Sequence, residues 1–246
     1  MGERFNMLSV CMATYNGEKY IQQQLDSILA CLSANDELIV SDDGSTDGTI
    51  AILKSYARNN ADQIHIISGP QRGVIANFNN ALKHAKGDYI FLSDQDDIWK
   101  KDKVEKVISA FNEHDCTVVV HDARIVDAQC NPIGQTLFEY RQSGPGFFKN
   151  VIKNSYVGCC MAIRRDLLSA ILPLPENVEM HDWWIGLISE LRGRSIFIDD
   201  KLIDYRRHGD NASSMNHYPI QKMLAIRFVL LAQLAKRGWA LMDGDC

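Results

Sequence analysis

The chain has 246 residues, 46% of them hydrophobic and 23% charged, with a formal net charge of −5. These proportions belong to an ordinary soluble globular protein and exclude a collagen, a coiled coil, low-complexity disorder and a small disulfide scaffold. The negative balance also gives the whole molecule no general attraction for nucleic acid.

Short β-like runs alternate with helix-like segments through the first half. The periodicity predicts strands over 8–14, 37–41, 64–68, 88–93 and 116–121, and helices over 20–32, 47–58, 74–84 and 100–113. This alternation predicts an α/β fold with a Rossmann-like, mostly parallel central sheet flanked by helices. Beyond residue 122 the pattern loosens, with Pro132, Gly134, Gly144, Pro145 and Gly146 marking loops. A strand near 156–163, a helix over 183–191, a strand over 194–199 and an amphipathic helix over 220–236 follow. We expect one domain over 1–217, divided near residue 122, and a separate helix within 218–246.

Seven cysteines without a repeated C-x-x-C pair suggest neither a zinc site nor a disulfide framework. The adjacent Cys159 and Cys160 read as small buried packing residues. The opening MGERFNMLSV is neither a signal peptide nor a span, and the apolar stretch 223–235 is short and interrupted by Arg227, so a cytoplasmic chain is expected. Basic residues outnumber acidic ones after Lys201, so that end is the one suited to an anionic surface.

Three polar clusters sit where predicted strands end: TYNGE at 14–18, SDDGSTDGT at 41–49 and SDQDDIW at 93–99. In an open parallel sheet that edge is where ligands bind. Neither a G-x-G-x-x-G nor a G-x-x-x-x-G-K-[ST] loop follows a strand, so the expected site is rich in carboxylates rather than glycines. Asp94, Asp96 and Asp97 would repel one another unless solvated, protonated or bound to a cation. Their oxygens suit magnesium or manganese. Asp94 and Asp96 are two apart and share one side of an extended chain, whereas Asp97 reads as a cap or first-turn acid for the next helix. Ser45 or Asp47 reads as a helix cap, leaving Asp43 to accept a hydrogen bond from a pyrimidine N–H or a ribose hydroxyl.

In this order and spacing, TYNGEKYI, SDDGSTDGT and the D-x-D-D pattern of Asp94 to Asp97 resemble the inverting family-two glycosyltransferases of the GT-A fold. The resemblance continues through NSYVGCCMAIRRDLL, HDWW and YRRHGDNAS, over roughly residues 7–214. It implies a nucleotide-sugar pocket lined by Thr14, Tyr15, Glu18, Asp43 and Arg72, with Asp94 near the ribose. It further implies a divalent metal, Mn2+ or Mg2+, held by Asp96 and completed by His208, with Arg206 and Arg207 closing over the diphosphate. Asp182 would be the catalytic base on the acceptor side; taken alone an aspartate there reads more often as an N-cap, and only its place in the ordered motif set reverses that. Trp183 and Trp184 would stack on the acceptor sugar, or join Leu187, Ile188 and Leu191 on an apolar helix face. Residues 1–122 then form the donor half and 123–217 a more variable acceptor half.

The combination SDQDDIW, HDWW and YRRH looks most like bacterial enzymes of O-antigen or capsular polysaccharide synthesis, including rhamnosyltransferase-like members. That implies rhamnose, glucose or galactose moved from a dTDP- or UDP-sugar to a saccharide, lipid-linked at the cytoplasmic face of the inner membrane. The last helix fits such a surface, with Leu224, Phe228, Leu231 and Leu234 on one face and Lys222, Arg227, Lys236 and Arg237 for headgroups. Two alternatives stay open on sequence: a nucleotidyltransferase and a noncatalytic sugar-nucleotide-binding subunit.

Overall fold

The computed structural model describes residues 7–208 and 218–243, with side chains as far as residue 238. Gly209 to Ser213 of the YRRHGDNAS segment lie outside the described residues. Four strands, β1 (Leu8–Thr14), β2 (Glu37–Asp42), β3 (Ile64–Ser68) and β4 (Tyr89–Ser93), alternate with α1 (Ile21–Leu29), α2 (Thr49–Asn59) and α3 (Val74–His84). There follow β5 (Ile98–Trp99), α4 (Lys103–Glu113), β6 (Val118–Val126), β7 (Pro132–Thr136), α5 (Leu137–Arg141) and α6 (Phe147–Ile152). The chain closes with β8 (Met161–Arg164), α7 (Leu168–Ile171), α8 (His181–Arg192), β9 (Ser195–Arg206) and α9 (Ile220–Asp243).

All nine strands join one sheet in the order β3-β2-β1-β4-β8-β6-β9-β5, with β7 alongside β6. β1 to β4, β6 and β9 run one way, and β8 runs against its two neighbours β4 and β6. The expected mostly parallel sheet flanked by helices is therefore present. Helices cover both faces, which is why the central strands are continuous apolar runs such as Val10-Cys11-Met12 and Ile90-Phe91-Leu92, all fully buried. Strand order reverses between β1 and β4, so the loops leaving their ends diverge and open a crevice at the carboxyl edge.

The second half departs from the predicted boundaries for identifiable reasons. β9 runs on to Arg206 because Asp204 accepts both Arg124 Nε and Nη2 at 2.7 Å and Lys100 Nζ at 2.6 Å, tying β9 to β6 and β5. The strand predicted from 156 begins only at Met161, because Gly158 to Cys160 form a 3-10 turn. α8 is buried from His181 to Ser189, and a Cβ on its Gly186 would stand 2.4 Å from the Tyr156 ring. The six cysteines among the described residues are free thiols.

α9 packs through Leu230 and Leu234 and leaves Leu224, Phe228 and Leu231 exposed, so the predicted single apolar stripe is split. Its arginines also face inward: Arg227 Nη2 donates to the Ile152 carbonyl, and Arg237 Nη1 to those of Ala170 and Leu172 at 2.8 and 2.7 Å. Among the described residues no helix is long and apolar enough to cross a membrane.

Candidate active site

The β1/β4 crevice is a cleft of about 670 Å³, a size suited to a ligand such as a nucleotide sugar. Its lining includes Thr14, Tyr15, Asp43, Asp94, Asp96 and Asp182, six of the residues singled out from sequence. At the first strand end, Thr14 Oγ1 donates to Asp42 Oδ2 at 2.9 Å and Tyr15 projects with 56% of its surface exposed. Gln95, between the two outward acids, locks that loop: its Oε1 accepts the Tyr15 N–H at 2.9 Å and its Nε2 donates to the Tyr15 carbonyl at 3.0 Å.

The two neighbouring aspartates after β2 do different work. Asp42 is structural, its carboxylate accepting the backbone N–H groups of Gly44 and Ser45 and the hydroxyls of Thr14 and Ser45. Asp43 bridges to the β3–α3 loop, accepting the N–H of Gln71 at 2.7 Å and of Gly73 at 2.8 Å. Gln71 and Gly73 both hold positive φ, so the loop can aim these two donors at one carboxylate.

The acids after β4 split as the alternation predicts. Asp94 and Asp96 line the cleft, while Asp97 turns inward, 1% exposed, accepting the Arg206 N–H at 3.1 Å. Asp97 therefore fastens the acidic loop to β9 and is not a cap of the following helix. Burial, then the charges of Asp96 and Asp182, push the Asp94 carboxyl up to about 7. Asp97 is held well above the carboxylate range by burial, Asp96 and Asp94.

Asp182 stands in the first turn of α8, 6% exposed, where the helix dipole favours a carboxylate. Its Oδ2 accepts the Gly158 N–H at 3.1 Å and its Oδ1 faces Asn154 Nδ2 at 3.4 Å, so the 3-10 turn before β8 aims it into the cleft. His181 beside it is stacked on Phe78 at 4.0 Å, and burial pulls its pKa down, keeping it neutral.

Several sequence assignments need correction. Trp183 and Trp184 are core residues, 5% and 0% exposed, with indole N–H groups donated to the carbonyls of Asn150 and Ile171. Neither lines the cleft, because the α8 face that carries them packs inward. Glu18 is spent on the start of α2, its Oε2 accepting the Gly48 N–H at 2.8 Å, and Arg72 pairs with Glu176. Arg206 is 3% exposed, bonded to the carbonyls of Asp96 and Ala128 and to Gln23 Oε1, so it braces the acidic loop rather than closing over a ligand.

The structure does bring His208 to Asp96, with Nε2 2.8 Å from Oδ2 and the imidazole stacked on Tyr20 at 4.5 Å. A second group lies deeper, where donor atoms of Asp94, Asp97 and Cys159 fall within 4.8 Å of one another. Hydrogen bonding to Cys160 and burial hold the Cys159 thiol well above its usual pKa, so it offers no thiolate. Carboxylate oxygens suit manganese or magnesium better than a thiol does, and Asp97 Oδ2 of this deeper group is buried without a hydrogen-bond partner. Among the described residues, Asp94, Asp97 and Cys159 are the group close enough to share one ion, whereas Asp96 and His208 present an oxygen and an imidazole nitrogen as a pair at the cleft wall.

Sequence reasoning missed three contributors. Gln95 and Asn154 carry no pattern that marks them. Lys103 carried one: it falls on the buried face of α4 with Val107, Ala110 and Phe111, where a lysine is out of place. It is fully buried, Nζ 3.0 Å from the Cys159 carbonyl and 3.9 Å from the Trp99 ring centroid. Burial lowers its pKa to about 8, and its charge lies behind the acidic loop, where it acts against the upward shift of Asp94.

A mostly parallel sheet whose switch-point crevice carries an acidic loop on one wall and a helix-borne aspartate on the other defines the GT-A type of nucleotide-sugar fold. Residues 9–172 match Glycosyl transferase family 2, and the chain belongs to that family. It is 31% identical over 219 residues to the dTDP-rhamnosyl transferase RfbG of Shigella flexneri, covering 83% of this chain and 74% of that protein. It is 26% identical over 212 residues to the glycosyltransferase alr2836 of Nostoc sp., covering 83% of this chain and 66% of that one. Among solved structures, Staphylococcus aureus TarS 1-349 in complex with UDP-GlcNAc superposes with a TM-score of 0.72 at 21% identity, over 91% of this chain and 65% of that chain. The Pyrobaculum calidifontis mannosyltransferase PcManGT, in complex with GDP-Man and Mn2+, gives 0.64 at 20% identity over 93% of this chain and 64% of that one. The chain thus spans about two thirds to three quarters of the lengths of these proteins.

Proposed function

We propose that the protein is an inverting, divalent-cation-dependent glycosyltransferase of bacterial surface polysaccharide synthesis, taking a hexose from a dTDP- or UDP-sugar. The observation that carries this reading is the confrontation, in one cleft, of Asp94 and Asp96 with Asp182. Tyr15 and Asp43 serve the nucleoside, the tyrosine as an exposed ring for the base and the aspartate as acceptor for a pyrimidine N–H. Asp94 serves the ribose. Asp96 and His208 would hold a divalent cation, whose charge would offset that of the departing nucleoside diphosphate. Asp182 takes the proton of the acceptor hydroxyl as its oxygen bonds to the anomeric carbon and the bond from that carbon to the diphosphate breaks. Attack from the side opposite the leaving group inverts the anomeric configuration. The likeness to RfbG favours a dTDP-rhamnose donor.

A donor panel tests this directly: UDP-glucose, UDP-galactose, their N-acetyl forms, dTDP-rhamnose and GDP-mannose, each with and without Mn2+ or Mg2+. A donor at a hundred times its Kd adds about 2.7 kcal/mol, an increase of roughly 5–10 °C in Tm for a chain of this size. We expect one UDP- or dTDP-sugar to give that shift, only with metal, and Asp96→Ala to remove it. A shift from GDP-mannose alone would overturn the pyrimidine assignment, and a full shift in Asp96→Ala would overturn the role of Asp96.

The lipid-linked acceptor remains part of the proposal, supported by a surface on the acceptor side. Exposed Phe148 and Ile152 of α6 adjoin exposed Leu224 and Phe228 of α9 through the Arg227–Ile152 contact. Lys149, Lys153, Lys222 and Lys236 are exposed on the same two helices, and neither 147–154 nor 218–238 contains an acid. Apolar side chains among lysines suit an anionic bilayer surface. The protein should float with phosphatidylglycerol vesicles at low salt, less at high salt, and less still as Leu224→Ala/Phe228→Ala. Equal flotation with neutral vesicles would remove the idea.

A further inference from the structure

The cleft has one cationic lining residue among those described, and the family reading gives it no task. Arg141 ends α5, and it faces a cavity otherwise lined by Asp43, Asp94, Asp96 and Asp182, with His181 neutral. It forms no ion pair or side-chain hydrogen bond with the described residues, and its Nε is buried without a partner. A guanidinium stays charged at any relevant pH, and a buried unpaired N–H is costly unless a ligand satisfies it.

The position of Arg141 is rigid. A capping box opens α5, with the Glu139 N–H donated to Thr136 Oγ1 at 3.3 Å and the Thr136 N–H to Glu139 Oε2 at 2.8 Å. The Phe138 N–H anchors the helix to Asp122 on β6 at 2.8 Å. After Arg141, Ser143 Oγ donates to the Ser155 carbonyl and the Gly144 N–H to Ser155 Oγ. Those bonds join the segment to Asn154, which itself contacts Asp182. Arg141 therefore belongs to the Asp182 end of the cleft. The nucleoside end is built elsewhere, from Asp43 and the Gln71–Gly73 loop.

We propose that Arg141 is an acceptor-binding residue that pairs with an oxyanion carried by the acceptor, a phosphate ester or a carboxylate, so that the enzyme selects acidic acceptors. The guanidinium fork matches either anion, and the segment that carries it is tied to Asn154 and Asp182, not to the Asp43 loop. This inference rests on the glycosyltransferase reading, from which it takes the acceptor role of the Asp182 end.

The test uses the whole chain, first measuring UDP and dTDP affinity with Mn2+ by calorimetry, then titrating three probes onto the nucleotide-saturated protein: glucose 1-phosphate, glucuronic acid and glucose. Wild type should bind one or both anionic probes at least about tenfold more tightly than glucose, the scale of a charge-assisted hydrogen bond. Arg141→Met should erase that preference and Arg141→Lys keep part of it, with nucleotide affinity within about twofold of wild type in both. Preference for the phosphate points to a phosphate-linked acceptor, and preference for the carboxylate to a uronic acid. The proposal falls if wild type shows no preference for the anionic probes, if Arg141→Met retains it, or if Arg141→Met loses nucleotide affinity about tenfold, which would assign the residue to the donor diphosphate. Failure of both nucleotides to bind wild type would overturn the donor reading instead, and the same probes titrated without nucleotide then decide Arg141. A melting curve for each variant separates misfolding from lost binding.

Discussion

Asp182→Asn is expected to lower sugar transfer by about 10²–10⁴-fold, the usual worth of a positioned general base, while nucleotide affinity stays within about twofold of wild type. The substitution keeps the side-chain shape, and an amide oxygen can still accept the Gly158 N–H that fixes Asp182 Oδ2. An asparagine cannot take up the proton of an acceptor hydroxyl. The loss should therefore appear in turnover and not in donor binding, because Asp43 and Asp96 stand on other loops of the cleft. The substitution also separates an enzyme from a noncatalytic binding subunit, since only the former loses its biological output with nucleotide binding intact. The product anomer, read by NMR in the wild-type reaction, should be opposite to that of the donor. Transfer within about threefold of wild type, or retention of configuration, would assign the base elsewhere.

The wall of this cleft at the strand ends was legible in the sequence because Thr14, Asp43, Asp94 and Asp96 all end or follow strands. Where a parallel strand ends, a polar cluster has few structural uses, and Thr14, Asp43, Asp94 and Asp96 all line the cleft. The wall that carries Asp182 is built differently. Asp182 is aimed by a 3-10 turn around Gly158 and by Asn154, and nothing in NSYVGCC announces that this segment bends before it becomes a strand. Arg141 reaches the cleft from a five-residue helix after a hairpin strand, neither of which has a readable period. The tryptophans misled for a related reason. HDWW places two large aromatics beside a cleft residue, but α8 is buried on nearly every side, so adjacency in sequence does not mean adjacency in the cleft. Arg206 shows that charge alone does not assign a role, since it donates to the Asp96 and Ala128 carbonyls and to Gln23 Oε1 instead of facing the diphosphate it was expected to close over.

Asp94→Asn should raise the Tm of the metal-free protein at pH 8 while suppressing transfer, because the acidic loop is held in place against its own charge. The Asp94 carboxyl is raised from an ordinary value of 3.8 to about 7, by burial first and then by Asp96 and Asp182. For an acid shifted upward, the folded state holds a proton that the unfolded chain has released. Its contribution to stability is complete below pH 4 and is lost as pH rises through 7. At pH 8 the wild-type carboxylate is ionised among like charges, a cost of about 2 kcal/mol after discounting for partial exposure to solvent. Removing it should raise Tm by roughly 4–8 °C. The advantage should shrink as pH falls below 7 and vanish only below about pH 4, where Asp94 is protonated in the folded and the unfolded wild type alike. His121 and His181, whose pKa values burial lowers, withdraw stability from both proteins as pH falls below 6.5, so the difference between the two proteins isolates Asp94. Addition of Mn2+ at pH 8 should narrow the difference, because a cation held by Asp96 and His208 would offset the charge against which wild-type Asp94 is ionised. A variant that melts at or below wild type at pH 8 without metal would show that the Asp94 carboxylate carries no such cost.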